Sequence, residues 1–343
     1  MQMPDCKFGC LPTMIGTLPH KDADRAVAVV SHYLKDIPAW PQLPKRAYLE
    51  NMYTQYGEGF PGFVVADGKT YVNRQQDLTG DLERFYTDYM NNDYGRYAVS
   101  AQYAAGLHKF LGLDSLLVRA VKGQVTGPVS WGMTITDETG KAIIYDETLG
   151  DVVPKFLRLK ASWMERALKK LSKDTIIFLD EPYMTAFGSI AMQLSRQQVI
   201  DLLTETLAGI SGIKGVHCCG NTDWSILLHT PVDIVHFDAY DYADSLALYP
   251  DDVKKLLDRG GAVVWGIIPV SAEKIEKESV PALKDRLEEA IAPFTRKGIP
   301  FKQLIEQGLL APACGLPSVS EQAAERALEL LAELSKAVRR KYL

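Results

Sequence analysis

The segment Thr175-Ile176-Ile177-Phe178-Leu179-Asp180-Glu181-Pro182 is a short apolar run that ends in an acidic pair. Such a run is typical of a buried β-strand. The pattern recurs along the chain, where each short apolar segment is followed by a loop and then by a longer helical pattern. It predicts eight strands, at residues 11–17, 40–48, 116–122, 175–180, 213–219, 232–238, 261–267 and 308–313.

Helical patterns follow several of these segments. The last helix is expected after Ser318-Val319-Ser320-Glu321, which has the form of a capping box. The others are predicted at residues 155–172, 197–208, 251–259 and 272–297. Strands that alternate with helices predict an α/β protein, a (β/α)8 TIM barrel that forms a single domain over residues 1–343. The long, glycine-containing region 51–108 predicts a hairpin or lid inserted after the second strand.

The composition excludes several classes of protein. With 47% hydrophobic and 24% charged residues, the chain is typical of a soluble globular protein. A net charge of −5 gives no support to a nucleic-acid or membrane partner. The first six residues lack a signal-peptide pattern, and five cysteines are an odd number, so we expect a cytoplasmic protein with reduced thiols.

Polar side chains stand at the ends of the predicted strands. In a barrel of this type the chemistry takes place at the carboxyl ends of the strands. Residues that could act there are Thr17, Lys122, Asp180, Glu181, His217, Cys219, Asp238 and Cys314.

The segment Val216-His217-Cys218-Cys219-Gly220-Asn221 predicts half of a metal site. On a strand, the side chains of residues i and i+2 point to the same face, so His217 and Cys219 would converge while Cys218 faces away. Cys314 could be a third ligand, and three protein ligands leave zinc an open position for a thiol substrate. The alternatives are a buried histidine beside core cysteines and a closed structural zinc site.

Other residues also have two interpretations. Asp238 could be a fourth ligand or could cap a loop. Asp180 could hold a substrate ammonium or form a salt bridge inside the barrel. The turn Thr126-Gly127-Pro128 could let the backbone approach a ligand or be simple loop structure. Cys6 and Cys10 are expected to be free thiols rather than ligands. The remaining histidines are interpreted as structural: His20, His32, His108, His229 and His236.

Five motifs together resemble one family, the cobalamin-independent methionine synthases. They occur in the family's order across residues 15–316. Ile15-Gly16-Thr17-Leu18-Pro19 is similar to its Ile-Gly-Ser-Phe-Pro segment. Lys122-Gly123-Gln124-Val125-Thr126-Gly127-Pro128-Val129 resembles its Leu-Thr-Gly-Pro-Val loop. Leu179-Asp180-Glu181-Pro182 resembles Ile-Asp-Glu-Pro, while the last two motifs, His217-X-Cys219 and Cys314-Gly315-Leu316, resemble the zinc-ligand motifs.

The resemblance implies a zinc-dependent enzyme that methylates the thiol of homocysteine. It implies that His217, Cys219 and Cys314 bind zinc, with Asp238 in place of the family's ligand glutamate. It also implies that Asp180 holds the substrate amine. The carboxylate end would be held by Ile15, Gly16 and Thr17, and the family's other homocysteine-binding glutamate falls near Glu50.

The chain departs from the family at three points, and the first and third bear on the methyl donor. The family's second, N-terminal barrel is not expected here, Asp238 is one methylene shorter than glutamate, and Ile267 replaces a proton-relaying histidine. Release of a folate amine needs a proton, whereas a methyl-corrinoid leaves as Co(I) and needs none. We therefore expect methylcobalamin or a methylated corrinoid protein as donor. The alternatives are methyl transfer to another thiol such as coenzyme M, uroporphyrinogen decarboxylation, or a zinc- or corrinoid-binding scaffold.

Overall fold

The computed structural model describes residues 6–343 of the chain. The expectation of no signal peptide rests on the N-terminal sequence, and residues 1–5 lie outside the described residues. Within residues 6–343, no helix is both long and apolar enough to cross a membrane.

A parallel sheet forms the centre of the fold. Its seven strands follow the order β1-β10-β9-β8-β7-β6-β4, and every neighbouring pair is parallel. A smaller sheet has the order β2-β3-β5, in which β2 and β3 form an antiparallel hairpin. The strands are β1 Leu11–Pro12, β2 Phe63–Ala66, β3 Lys69–Val72, β4 Val121–Thr126, β5 Thr136–Asp137, β6 Thr175–Asp180, β7 Ile213–Cys218, β8 Ile234–Asp238, β9 Ala262–Ile268 and β10 Gly308–Pro312.

Helices follow most strands of the large sheet. They are α1 Ala23–Tyr33, α2 Met52–Gln55, α3 Thr79–Met90, α4 Ala105–Leu111, α5 Pro128–Thr134, α6 Glu147–Leu168, α7 Arg196–Leu207, α8 Trp224–Leu228, α9 Ala243–Ala247, α10 Pro250–Asp258, α11 Ala272–Lys277, α12 Val280–Arg296, α13 Phe301–Glu306 and α14 Glu321–Tyr342. Short 3-10 turns occur at Tyr48–Glu50, Gly95–Tyr97, Ile143–Tyr145 and Pro182–Ala186.

The α/β class with a parallel sheet is confirmed, but a complete eight-stranded barrel is not. The strand predicted at residues 40–48 is replaced by isolated parallel bridges from Ala39 to Lys122 and from Gln42 to Thr17. Prolines at 38, 41 and 44 remove backbone donors, which prevents a regular ladder there. The segment nevertheless reaches both edges of the sheet, because Trp40 donates to the Lys122 carbonyl and Gln42 to the Gly16 carbonyl. The sheet therefore curls.

Several boundaries differ from those predicted. β1 ends at Pro12, and β4 begins at Val121, five residues later than expected for that strand. The helix predicted at residues 272–297 is two helices, because Ser279 caps a new helix start at Val280. In the last helix the N-cap is Ser320 rather than Ser318, and its hydroxyl accepts from the Ala323 N–H.

The two faces of the sheet bury different residues. Helices pack on the outer face in one large apolar cluster, while a smaller cluster on the inner face includes Phe178, Ile234, Val264 and Leu309. Because side chains alternate along a strand, the inner positions one step beyond Phe178 and Ile234 are Asp180 and His236. Polar groups therefore begin where this apolar layer ends, at the carboxyl ends of the strands.

The region predicted to hold an insertion contains the β2–β3 hairpin and α3. Its turn consists of Asp67 and Gly68, whose φ angles are +51° and +68°. Two consecutive residues with positive φ are the geometry of a tight hairpin turn. β3 also pairs with β5, which follows α5 in the chain, so the hairpin is anchored to the region after β4.

Candidate active site

One histidine and two cysteines converge at the carboxyl end of the sheet. His217 lies near the end of β7, Cys219 follows that strand, and Cys314 follows β10. One potential ligand atom from each lies within 4.8 Å of those of the other two. His217 is buried, whereas both cysteines are partly exposed. The structure thus brings Cys314 next to two residues, His217 and Cys219, that precede it in the sequence by 97 and 95 positions.

The donor set fits a zinc ion. Neither ring nitrogen of His217 has a hydrogen-bond partner in the described part of the chain, although the ring is buried. Buried polar atoms without a partner are costly, so this ring is suited to an additional ligand. The Cys314 thiol, followed by the His217 imidazole, lowers the pKa of the Cys219 thiol. Two sulfurs and one imidazole are ligands that zinc prefers.

The third neighbouring thiol behaves differently. Cys218 is completely buried on the outer face of the sheet, as its alternation with His217 and Cys219 predicts. Burial raises the pKa of its thiol to about 12, so it remains protonated. Cys10 is also buried, donates to the carbonyl of Ile305, and has a pKa raised to about 12 by burial. Cys10 lies beside the start of β10, the opposite end of that strand from Cys314.

Asp180 ends β6 and lies beside Lys122 on the inner face. The carboxylate is 5% exposed, and its Oδ1 has no hydrogen-bond partner among residues 6–343. Burial raises the pKa of Asp180 to about 6, although His217 and Lys122 act in the opposite direction. Lys122 is itself buried, which lowers its pKa to about 8, and its Nζ donates to the carbonyl of Ile15 at 2.8 Å. Asp180 thus retains a free acceptor oxygen.

The predicted carboxylate-binding segment lies next to these residues. Ile15 is held by Lys122, and Gly16 has a φ of +134°, a conformation that strongly favours glycine. The hydroxyl of Thr17 donates to Gln42 Oε1 at 2.8 Å. Thr17 also packs against Gly315, where a Cβ atom would lie 2.9 Å from the Thr17 Cβ. The segment 15–17 therefore adjoins the residue that follows Cys314.

Two other predicted residues are engaged in local interactions. Asp238 Oδ1 accepts from the N–H groups of Tyr240 at 2.9 Å and Asp241 at 2.8 Å, the geometry of a loop cap. It is outside the group formed by His217 and the two cysteines. Glu50 is fully buried, its carboxylate accepts from Arg46 at 2.5 Å, and burial raises its pKa.

Glu181 has a structural role in the same region. Its carboxylate accepts from the N–H groups of Val129 and Ser130 and from the Ser130 hydroxyl at 2.6 Å. These donors lie at the start of α5, and a Cβ atom on Gly127 would overlap the carboxylate. The turn at Gly127 therefore admits a neighbouring carboxylate side chain.

Sequence reasoning missed two inner-face residues. The ring of His236 packs against that of His217, although the sequence indicated no partner for it. Gln124 lies between Lys122 and Thr126 on β4, and its side-chain amide is completely buried. His236 is two residues before Asp238, and Gln124 is two residues after Lys122. Because side chains alternate along a strand, this spacing could have predicted that both face the inner side of the sheet.

Comparisons with known proteins agree with the motifs. No protein-family model matches the chain. A methionine synthase from Methanocaldococcus jannaschii is 26% identical over 304 residues, which are 84% of this chain and 91% of that protein. The similarity therefore extends over most of both proteins.

Two solved structures share the fold. A B12-independent methionine synthase from Shewanella sp. W3-18-1, in complex with selenomethionine, has a TM-score of 0.59 at 15% identity, covering 96% of this chain and 98% of that chain. A protein from Listeria monocytogenes assigned as a vitamin-B12-independent methionine synthase has a TM-score of 0.56 at 13% identity, covering 92% and 85%. The resemblance of this chain to the catalytic domain of cobalamin-independent methionine synthase, predicted from its motifs, is confirmed.

Proposed function

We propose that the protein transfers a methyl group to the thiol of homocysteine, giving methionine, and that residues 1–343 act as one catalytic domain. The sequence similarity to a methionine synthase supports methyl transfer as the reaction class. The observation that carries the proposal is the cluster of His217, Cys219 and Cys314, next to the unpartnered carboxylate oxygen of Asp180. A thiol and an amino group on one substrate would match these two features.

His217, Cys219 and Cys314 would hold the zinc ion, and the Asp238→Asn variant tests whether Asp238 adds a fourth ligand. Zinc bound there would lower the pKa of a substrate thiol from about 8.5 and so favour the nucleophilic thiolate. The chain supplies two sulfur donors, whereas zinc sites that activate water more often use histidine and carboxylate ligands. This donor set supports thiol chemistry rather than hydrolysis.

The other end of the substrate would bind on the opposite side of the same pocket. Asp180 would accept from the substrate ammonium group through its free oxygen. The backbone and hydroxyl of residues 15–17 would bind the carboxylate, with Glu50 as a further binding residue. A selenomethionine complex is known for the Shewanella protein, which supports an amino acid as the ligand of this fold.

Two parts of the chain would enclose the proposed pocket. We propose that residues 37–42, which bridge both edges of the sheet, complete a barrel in place of a regular eighth strand. The β2–β3 hairpin and α3 would form the lid over its open end. Residues 37–42, the hairpin and α3 all lie in the long region between β1 and β4.

A methylated corrinoid is the donor that best fits these residues. In the reaction the thiol loses its proton, a sulfur–carbon bond forms, and the cobalt–carbon bond breaks with its electron pair remaining on cobalt. No proton is needed by this leaving group, whereas a folate amine would need one. Ile267, at the position of the family's relaying histidine, is completely buried in the apolar core and cannot donate a proton.

The direct test is turnover by the zinc-loaded protein. Homocysteine and methylcobalamin should give methionine, and methyltetrahydrofolate should give little. Coenzyme M in place of homocysteine tests the alternative acceptor; its sulfonate would be repelled by Asp180, so we expect no methylation. A folded, zinc-loaded sample that forms no methionine would contradict the proposal.

The metal site can be tested separately from turnover. Cys314→Ser should lose zinc and activity without unfolding the protein. Cys218→Ser is the matched control, because this buried thiol faces away from the cluster, and it should retain zinc. Zinc-edge absorption should show one additional sulfur ligand when homocysteine is added to the wild-type protein, and a structural zinc would show no change.

A further inference from the structure

Gln124 presents a buried amide to the inner face of the sheet. It lies on β4 between Lys122 and Thr126, and its side chain is 0% exposed. Neither Oε1 nor Nε2 of Gln124 has a hydrogen-bond partner in the described part of the chain. Leaving both groups of a buried amide unpaired is costly, so a residue of this kind indicates a partner that comes from outside the chain.

Other buried glutamines of this protein do have partners. Gln42 Nε2 donates to Gln55 Oε1 at 2.7 Å, and Gln55 Nε2 donates to the carbonyl of Tyr103. Gln307 donates to the carbonyls of Leu257 at 2.8 Å and Gly261 at 2.7 Å. Gln124 is therefore an exception to the way in which the fold pairs these amides.

The position of Gln124 connects it to the proposed substrate pocket. A Cβ atom on Gly16 would overlap the Gln124 amide, so the two residues are in close contact. On the neighbouring strand, Gln124 is paired with Phe178, and Thr126 with Asp180. Because side chains alternate, Gln124 and Asp180 both point to the inner face, one step apart along the strands. Each has an unpartnered polar atom there.

A neutral amide is suited to the amino-acid end of a substrate. Its N–H groups can donate to a carboxylate, and its carbonyl oxygen can accept from an ammonium group. Asp180 supplies an acceptor only and cannot bind the substrate carboxylate, so the Gln124 amide would add donors to those of residues 15–17. Together, Gln124 and Asp180 complement both charges of a zwitterion.

We propose that Gln124 is a substrate-binding residue that recognises the α-amino and α-carboxylate groups of the thiol substrate. This inference rests on the proposed function, because it takes homocysteine as that substrate. It adds a specificity role: thiols that lack either group should bind less tightly, because part of the Gln124 amide then remains unpaired.

The test is the affinity of zinc-loaded protein for three thiols, measured by calorimetry. They are L-homocysteine, 4-mercaptobutanoate, which lacks the amino group, and 3-mercaptopropylamine, which lacks the carboxylate. The wild-type protein should bind homocysteine most tightly. Gln124→Met keeps a similar volume without hydrogen-bonding groups, and it should weaken homocysteine binding by about tenfold. The affinity of Gln124→Met for the two analogues should fall by less than its affinity for homocysteine.

Two further variants keep the result interpretable. Gln307→Met removes a buried amide whose bonds are to the backbone, so it should lower stability but leave homocysteine affinity unchanged. Gln124→Glu keeps the side-chain shape but adds a negative charge, and it should weaken homocysteine binding more than Gln124→Met does. Unchanged homocysteine affinity in a folded, zinc-loaded Gln124 variant overturns the role of Gln124 alone. If the wild-type protein binds no homocysteine, the proposed function fails instead.

Discussion

The imidazole rings of His217 and His236 pack together with their centroids 4.5 Å apart and their planes inclined by 40°. The two residues are register partners on β7 and β8. Burial, and then the proximity of His217, lowers the pKa of His236 well below its ordinary value, so this ring is neutral. A neutral ring can restrict the orientation of His217 without adding charge next to a metal ion.

Replacing His236 should therefore weaken metal binding. In His236→Ala, the ring of His217 loses its packing partner and becomes free to rotate, and we expect zinc affinity to fall by about tenfold. Zinc dissociation constants, measured by competition with a chelator, check this. His229→Ala is the control, since that half-exposed ring contacts Arg196 at the surface and should have no effect. Equal zinc affinity in all three proteins would show that His236 does not position His217.

Asp238 provides a second test of the metal site. One of its carboxylate oxygens already accepts two backbone N–H bonds, and an asparagine could accept both with its own Oδ1. We expect Asp238→Asn to retain stoichiometric zinc, because a loop cap needs an oxygen but not a charge. Metal analysis after dialysis is the measurement. Loss of zinc from a folded Asp238→Asn protein would instead identify Asp238 as a fourth ligand.

The sequence was most informative where one residue pattern determines one local structure. The strand at Thr175–Asp180 was predicted with the bounds that the structure has, because all six of its residues are buried and the run is bounded by polar residues. His217 and Cys219 were placed on one face by the period of a strand alone. These predictions needed no knowledge of neighbouring elements.

Predictions that depend on neighbouring elements were less successful. Residues 40–48 contain apolar residues and were predicted as a strand, but their role is to bridge two edges that come from distant parts of the chain. The contact of His236 with His217 was not predicted, because it arises only through the register of β7 and β8. Gln124 was missed for a related reason, since its lack of partners is a property of the folded interior.

The convergence of Cys314 with His217 and Cys219 could be predicted from the motif resemblance but not from residue spacing. Spacing along the chain could not predict it, because 95 residues separate Cys219 from Cys314. The motif resemblance supplied it, and the sheet order explains it: β10 and β7 are separated by β9 and β8, and the curled sheet brings their carboxyl ends towards one another.

Gly127 should be intolerant of any side chain. A Cβ atom there would overlap the carboxylate of Glu181, which caps the start of α5. We expect Gly127→Ala to lower the free energy of unfolding by about 1–3 kcal/mol, as overpacking typically does. The matched control is Gly80→Ala in α3, where a Cβ atom meets nothing within 4 Å. That change should be neutral or stabilise by about 0.5–1 kcal/mol. Urea unfolding measures both, and similar values for the two variants would contradict this explanation.

Glu165 should make stability depend on pH. Burial acts to raise its pKa, but the N–H bonds from Ser211 and Gly212, the Ser211 hydroxyl and the charge of Lys169 together lower the pKa below 4.5. The folded state thus favours the carboxylate, so its contribution is present above pH 4.5 and is lost as the pH falls further. Glu165→Gln should lower the free energy of unfolding near neutral pH by about 1–3 kcal/mol. Urea unfolding should show that this difference from wild type shrinks below pH 4.5. The control is Glu289→Gln at an exposed position, which should leave the free energy of unfolding unchanged at either pH. A difference that stays constant with pH would mean that the charge of Glu165 is unimportant.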